Sequence, residues 1–330
     1  MLKERRIDNF NSMRILFILI AIVFPVLTNG FTWGFFAHQK INHLAVFTLP
    51  PEMIGFYKQN IRYLTEKAVN PDMRRYVSNE EAPRHYIDID VYGDSAVYKM
   101  PRRWEDAVAK YSEDTLKAYG IVPYHINNVA HWLIKAFKNR DGDQILRLSA
   151  DLGHYIADAN VPLHTTENYN GQLTGQYGIH GFWESRLPEL FFEEYDLLTG
   201  KATYVKDLQL EAWSAVVRAH EALDSVLLFE AQLTRKYPES KKYGYEERGQ
   251  TTVRTYSYDF SKDYHRKLDG MVERRMKGSI KMVGDFWFSC WVKAGQPDLT
   301  DLAGRAESDS TFVIDPDKKV RSHEAGVGSK

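Results

Sequence analysis

The sequence predicts an all-α protein, and two observations support that prediction. Most of the 330 residues repeat their apolar positions at a helical period, and few segments alternate as a β-strand does. Residues 85–93 (HYIDIDVYG) come nearest to a strand, and they fit an extended loop equally well. The chain is 44% hydrophobic with a formal net charge of -1, which is typical of a globular protein. We therefore expect a single multi-helix domain.

The helical periodicity of the apolar residues predicts seven helices along the chain. Their predicted ranges are 36–49, 52–69, 104–119, 126–137, 144–160, 208–235 and 263–293. Residues 165–179 are rich in Asn, Gly and Gln, so this segment is predicted to be an irregular loop. The basic and aromatic residues 254–267 are interpreted as a loop that leads into a charged helix face.

The two ends of the chain differ from this middle part. Arg14 precedes a short apolar run over 15–27, and small residues follow at Gly30 and Thr32, as in a secretory signal peptide. The run is short for a membrane span, so cleavage before Trp33 is expected over an uncleaved anchor. We predict a signal peptide at 1–32, a folded domain at 33–302 and a polar, disordered tail at 303–330. The protein would then be exported to the periplasm, the cell surface or the medium.

Composition also excludes some classes of function. A single cysteine, Cys290, rules out an intrachain disulfide framework and a thiolate zinc finger. The near-neutral charge argues against a protein that binds nucleic acid through a strong overall positive field, although a local basic cleft stays possible.

The stretch HYIADANVPLH gathers polar groups at the end of a predicted helix. His154 and Asp158 are four residues apart and project from one face. Pro162 ends that helix, and His164 follows just beyond it. Taken alone, such a His–Asp pair is more often a surface ion pair than a metal site.

Further histidine and carboxylate side chains follow the same pattern. His180 and Glu184 are again four residues apart, and NPDMRRY and RHYIDID contribute Asp72 and His85. Imidazole and carboxylate ligands without cysteine suit zinc or another divalent transition ion. Asp88 or Asp90 would orient a ligand imidazole, or both are solvated loop carboxylates.

The motif H-x-x-x-D-x-x-x-x-x-H, followed by H-x-x-x-E, resembles the bacterial zinc-dependent phospholipases C. The same all-helical superfamily contains the fungal single-strand-specific nucleases. The resemblance covers residues 33–188 by motif and the remaining helices by type only. It implies a phospholipase C / single-strand nuclease type of fold with three zinc ions. It also implies that the mature chain begins at Trp33, whose α-amino nitrogen and carbonyl oxygen bind metal.

The resemblance also implies a ligand set. One ion would be held by Asp72, His85, His154 and Asp158. Asp158 would bridge to a second ion, completed by the Trp33 main chain and a histidine. The spacing of the nuclease branch selects His38 for that position and is favoured, whereas a phospholipase-like alignment selects His43. The third ion would be held by His164, His180 and Glu184.

The ligand set implied by the resemblance also implies an activity. By resemblance, a water bridging the two ions at Asp158 attacks phosphorus, and Asp72 orients that water or accepts its proton. Glu184 stands where the nuclease branch has Asp, which favours a phospholipase C-like hydrolase of phosphate esters. A sugar-nonspecific single-strand nuclease is the alternative, and an inactive zinc-stabilised binding protein is the alternative from another class.

The predicted partners follow from these activities. They are a phospholipid or other phosphodiester, single-stranded nucleic acid under the alternative, and a peripheral contact with a membrane. No obligate protein partner is evident in the sequence.

Overall fold

A computed structural model of the protein describes residues 34–248 and 251–302. This part of the chain is predominantly α-helical and contains one two-stranded hairpin, so the all-α prediction is confirmed. The predicted signal peptide, Trp33 and the predicted tail lie outside the described residues. None of the described helices is long and apolar enough to cross a membrane.

The helices are labelled here in chain order. They are α1 (Phe35–Ala45), α2 (Pro51–Gln59), α3 (Ile61–Glu66), α4 (Asn70–Arg75), α5 (Ala96–Lys99), α6 (Trp104–Tyr111), α7 (Glu113–Tyr119), α8 (Val122–Lys138), α9 (Gly142–Ala159), α10 (Ile179–Gly181), α11 (Leu187–Phe191), α12 (Leu208–Thr234), α13 (Glu239–Lys242), α14 (Tyr258–Lys267) and α15 (Met271–Lys293).

Three of the predicted helices are each interrupted. The range 52–69 breaks at Asn60, whose side-chain amide donates to the Phe56 carbonyl oxygen. The range 104–119 breaks at Ser112, which has φ 68° and accepts a hydrogen bond from the Thr115 backbone N–H. The range 263–293 breaks at Gly270, which has φ 71° and precedes α15. Positive φ is incompatible with a continuous right-handed helix.

The predictions outside the helices had mixed outcomes. Residues 85–93 form no strand and contain a 3₁₀ turn over Ile89–Tyr92, so the loop interpretation is correct. The structure also contains an antiparallel hairpin that was not predicted, formed by β1 (Tyr243–Arg248) and β2 (Thr251–Tyr256), in which Tyr243 pairs with Tyr256. The loop expected at the start of 254–267 is therefore wrong, because β2 and α14 occupy this range.

The described residues form two apolar clusters. The larger one packs α1, α8, α9 and α15 around fully buried side chains such as Trp287, and Cys290 is buried within it. The smaller one joins the hairpin and α14 to the segment after α10, where the Phe182 ring stacks on Tyr256 at 3.8 Å. Helix α9 ends where the larger cluster gives way to the smaller one, which places HYIADANVPLH at their junction.

Candidate metal centre

Helix α9 brings the first polar side chains to this junction. Asp141 caps its start by accepting a hydrogen bond from the Gln144 backbone N–H at 3.0 Å. Near its other end, His154 Nε2 lies 3.2 Å from Asp158 Oδ2, and both side chains are fully buried. Pro162 then opens a 3₁₀ turn over Pro162–Thr165 that carries His164. The predicted face of this helix is therefore directed into the protein.

The HGFWE segment reaches the same place through an unusual turn. Helix α10 continues into a π-helical turn over Phe182–Arg186, in which the Leu187 N–H bonds to the Phe182 carbonyl. Pro188 lacks the N–H that a regular helix would direct to the Glu184 carbonyl, which favours this wider turn. His180 Nε2 lies 2.8 Å from Glu184 Oε2. Single π-helical turns are frequent at functional sites.

Three groups of buried donor atoms result, and each could hold a metal ion. Group A consists of Asp72, His85 and His154, and Asp158 adjoins it. Its His85 Nδ1 lies 3.0 Å from both His154 Nε2 and Asp158 Oδ2. Asp72 Oδ1 lies 3.7 Å from each of the two imidazole nitrogens.

Group B consists of His38, His154 and Asp158, and Glu184 adjoins it. His38 Nε2 lies 3.5 Å from Asp158 Oδ1 and 3.3 Å from Glu184 Oε1. His43, the alternative to His38, instead makes a 3.2 Å contact from Nδ1 to Thr65 Oγ1. Asp158 thus faces groups A and B with different oxygens.

Group C consists of His164, His180 and Glu184. The His164 and His180 Nε2 atoms lie 3.2 Å apart, and Glu184 Oε2 lies 3.3 Å from His164 Nε2. Because Glu184 Oε1 faces His38, the Glu184 carboxylate joins groups B and C.

These separations fit a tetrahedral ion. Zn–N and Zn–O distances of about 2.0–2.1 Å place neighbouring ligand atoms about 3.3 Å apart. The separations in group C are 2.8, 3.2 and 3.3 Å, and those quoted for group A run from 3.0 to 3.7 Å. The donor atoms therefore lie at spacings that suit a small divalent ion.

Main-chain carbonyls fix the orientation of two imidazoles. His154 Nδ1 donates to the Ala68 carbonyl at 2.8 Å, and His164 Nδ1 donates to the His85 carbonyl at 2.5 Å. A carbonyl only accepts, so each neutral imidazole directs its Nε2 lone pair at the carboxylates. The Nε2 lone pairs and the carboxylate oxygens are both hydrogen-bond acceptors, so a proton or a metal ion has to lie between them.

The pKa shifts of the buried side chains also indicate that this site favours a cation. Burial alone would lower the pKa of His154, but Asp158 and Asp72 outweigh burial and raise that pKa to about 9. Burial alone would raise the pKa of Asp158, but His154 and His164 hold it well below its usual range. The cluster thus favours positive charge beside its carboxylates, which a proton or a metal ion can supply.

A carboxylate that was not predicted lies beside His85. Glu81 is almost completely buried, and its Oε1 lies 3.6 Å from His85 Nε2. Glu81 also accepts hydrogen bonds from Arg74, Arg84 and the Tyr155 hydroxyl. Asp90 instead accepts hydrogen bonds from Thr166 and Glu167. The available clue was the position of Glu81, four residues before His85.

A second unforeseen contact supports the π-helical turn. The buried Arg186 guanidinium makes a two-pronged ion pair with Glu246 of the hairpin, with Nη1 2.8 Å from Oε2. Since Arg186 follows Glu184 by two residues, the hairpin braces the segment that carries a candidate ligand.

No family model matches this sequence, and no curated protein matches it either. The chemistry of the centre therefore has to be argued from its donor atoms, their spacing and their surroundings.

Proposed function

We propose that the protein is an exported hydrolase of phosphate esters that holds three zinc ions in groups A, B and C. The observation that supports this most strongly is the chain of three donor groups joined by the two carboxylates Asp158 and Glu184. In group B, the Trp33 main chain would complete the coordination once the signal peptide is removed. A purely structural site would not need three adjacent groups.

Bound zinc ions would supply an activated water and neutralise charge on the phosphoryl oxygens. We assign to Asp72 the role of orienting this water or accepting its proton. Its Oδ1 accepts a hydrogen bond from Arg75 Nη1 at 3.3 Å, which fixes the carboxylate beside His85 and His154. From that position Asp72 would orient water or accept its proton.

Two observations bear on the substrate, and they favour different branches of the superfamily. Glu184 in group C favours a phospholipase C-like enzyme acting on a phospholipid head group or a related phosphodiester. The position of His38 in group B matches the spacing of the nuclease branch, which supports single-stranded nucleic acid as the second candidate substrate.

Metal analysis and the N-terminus test the site itself. The secreted protein should contain about three zinc ions per chain and begin at Trp33. A preparation with one ion or none, or with a different first residue, would refute this arrangement of ligands.

Activity assays test the assigned chemistry. Phosphatidylcholine and single-stranded DNA should be offered in parallel, with and without a chelator. Asp72→Asn should reduce turnover by at least about 100-fold while the protein stays folded, and Asp94→Asn, at an exposed loop position, serves as the control. A metal-loaded protein that turns over neither substrate would instead support the zinc-stabilised binding protein.

A further inference from the structure

A pocket lined by arginines lies between α12 and the first turn of α15. Its volume is about 400 Å³, which is in the range of small-molecule sites. Helix α12 contributes Arg218, Glu221 and Ala222 to its wall, and α15 contributes Met271, Arg274 and Arg275.

The arginines are held mainly by neutral groups. Arg274 donates to the Asp269 carbonyl, and Arg275 donates to the Arg218 carbonyl. Arg218 pairs with Glu211 at 3.3 Å and donates to Ser214 Oγ. Within 34–248 and 251–302, no carboxylate oxygen lies within 4.0 Å of Arg274 or Arg275.

The surrounding charges leave the pocket positive. Glu221 is the acidic residue in its wall, and Glu221 Oε1 accepts a hydrogen bond from the Tyr98 hydroxyl at 2.8 Å. Glu273, also in the first turn of α15, accepts from the Asp196 backbone N–H. Neither carboxylate neutralises the Arg274 and Arg275 side chains by direct contact.

The position of these cations is unfavourable for the fold alone. The N-terminus of a helix carries partial positive charge, yet Arg274 and Arg275 lie only four and five residues after Gly270, which precedes α15. Burial, with Arg218 and Arg274 nearby, lowers the pKa of Arg275 to about 10. A bound anion would remove this repulsion and would also interact favourably with the helix N-terminus.

The pocket adjoins the metal centre. A small cavity of about 30 Å³ is lined by His38, Trp183 and Glu184, and it shares Asn160 and Arg275 with the arginine pocket. A ligand in the pocket would therefore lie near groups B and C.

We propose that Arg218, Arg274 and Arg275 form a binding pocket for a phosphate group beside the metal centre. The guanidinium groups would bind its oxygens through charge-assisted hydrogen bonds. That this phosphate belongs to the substrate rests on the proposed function, whereas its binding does not.

Phosphate binding to the zinc-loaded secreted protein tests the pocket. Equilibrium dialysis with labelled inorganic phosphate should give a Kd for the wild type that rises at least about tenfold in Arg274→Gln/Arg275→Gln. The exposed Arg62, which pairs with Glu66, provides Arg62→Gln as a matched control with unchanged binding. Zinc content should stay at the wild-type value in both variants.

A second variant covers the case in which the double variant does not fold. Ala222→Glu keeps all three arginines and adds a carboxylate to the pocket wall, so it should also weaken phosphate binding. Equal Kd values in the wild type and in the folded pocket variants would overturn the proposal. A zinc-loaded protein that binds phosphate in the pocket but hydrolyses no phosphate ester would refute the proposed function alone.

Matched substrates identify the source of the phosphate. Pairs that differ by one phosphate are a dinucleotide against its 5′-phosphorylated form, and phosphatidylinositol against its 4-phosphate. If the double variant loses the wild type's preference for the member of one pair that carries the additional phosphate, that class of substrate supplies the phosphate bound in the pocket. If both preferences are unchanged while phosphate binding is lost, the pocket takes free phosphate.

Discussion

At the scale of single residues, Glu81 shows how the imidazole of a candidate ligand, His85, is oriented by its neighbours. Its carboxylate lies between His85 Nε2, Arg74 and Arg84, so it can hold the imidazole with Nδ1 directed at group A. Glu81→Gln should weaken metal binding in group A by about 10–100-fold. Competition with a chromophoric zinc chelator would measure this.

The neighbouring residue provides a control for Glu81. Glu80 is 84% exposed and lies 3.9 Å from Arg84, so Glu80→Gln changes the same functional group outside the centre. If both variants bind zinc equally well, Glu81 does not position His85.

His125 gives a prediction about acid stability. Burial, with the nearby Arg84 guanidinium, lowers the pKa of His125 to about 3, against 6.5 for an unperturbed histidine. Below pH 6.5 the unfolded chain takes up a proton that the folded protein does not, so stability falls as the pH falls toward about 3. The loss is about 1.4 kcal/mol per pH unit, or about 2 kcal/mol between pH 7 and pH 5.

His125→Gln should remove this contribution. Urea unfolding at pH 7 and pH 5 should show a loss of stability about 2 kcal/mol smaller in the variant than in the wild type. Loss of metal at pH 5 affects both proteins, and His131→Gln on the same helix, at an exposed position, is the control. The same decrease in all three proteins would contradict the prediction.

The candidate ligand residues show which parts of the site could be predicted from the sequence. His154 with Asp158, and His180 with Glu184, could be paired from the sequence because local helical geometry decides which face they share. Group B was harder, because His38 and His43 differ only in how α1 docks against α9. For Glu81 the four-residue spacing to His85 was the local clue, whereas Glu246 could not be recognised, since its partner Arg186 is brought to it by tertiary packing.

At the scale of secondary structure, α1 and α9 approach closely at Gly153. A Cβ added there would overlap Asn42 Oδ1, and the buried Asn42 amide donates to the Ala150 and Leu64 carbonyls. Gly153→Ala should therefore destabilise the protein by about 1–3 kcal/mol and disturb the adjacent His154. Chemical denaturation and zinc content would report the two effects.

Gly55 in α2 is the matched control. A Cβ there would meet nothing within 4 Å, so Gly55→Ala should stabilise the protein by about 0.5–1 kcal/mol through helix propensity. If both substitutions stabilise the protein, helix propensity rather than the contact between α1 and α9 decides the effect at Gly153.

The elements also show why the helices were easier to predict than the hairpin. Long helices such as α9 and α12 have apolar faces that the sequence displays. The breaks at Ser112 and Gly270 have local cues, a capping serine and an Asp-Gly pair, which continuous periodicity obscured. In the hairpin Tyr256 is buried but Tyr245 is 75% exposed, so the alternation expected of a strand is weak.

At the scale of the whole molecule, the candidate metal centre joins the two apolar clusters. The His154 side of the centre belongs to α9 and the larger cluster, whereas Glu184 lies beside Trp183 of the smaller one. Without cations, the carboxylates Asp72, Asp158 and Glu184 would stand close together in a buried space. Protonation of His154, whose pKa is raised to about 9, would offset part of that repulsion at pH 7. We therefore expect the metal-free protein to keep its helices but to lose stability.

Removing the metal should lower the melting temperature by about 10 °C or more, because a single site saturated at 1,000 times its Kd already contributes about 4 kcal/mol. The smaller cluster should loosen first, with a red shift in the fluorescence of the buried Trp183 before far-UV circular dichroism changes. Zinc should restore both signals, whereas magnesium should not, since imidazole ligands favour zinc. A chelated, zinc-free protein with an unchanged melting temperature would show that the two clusters are held together without metal.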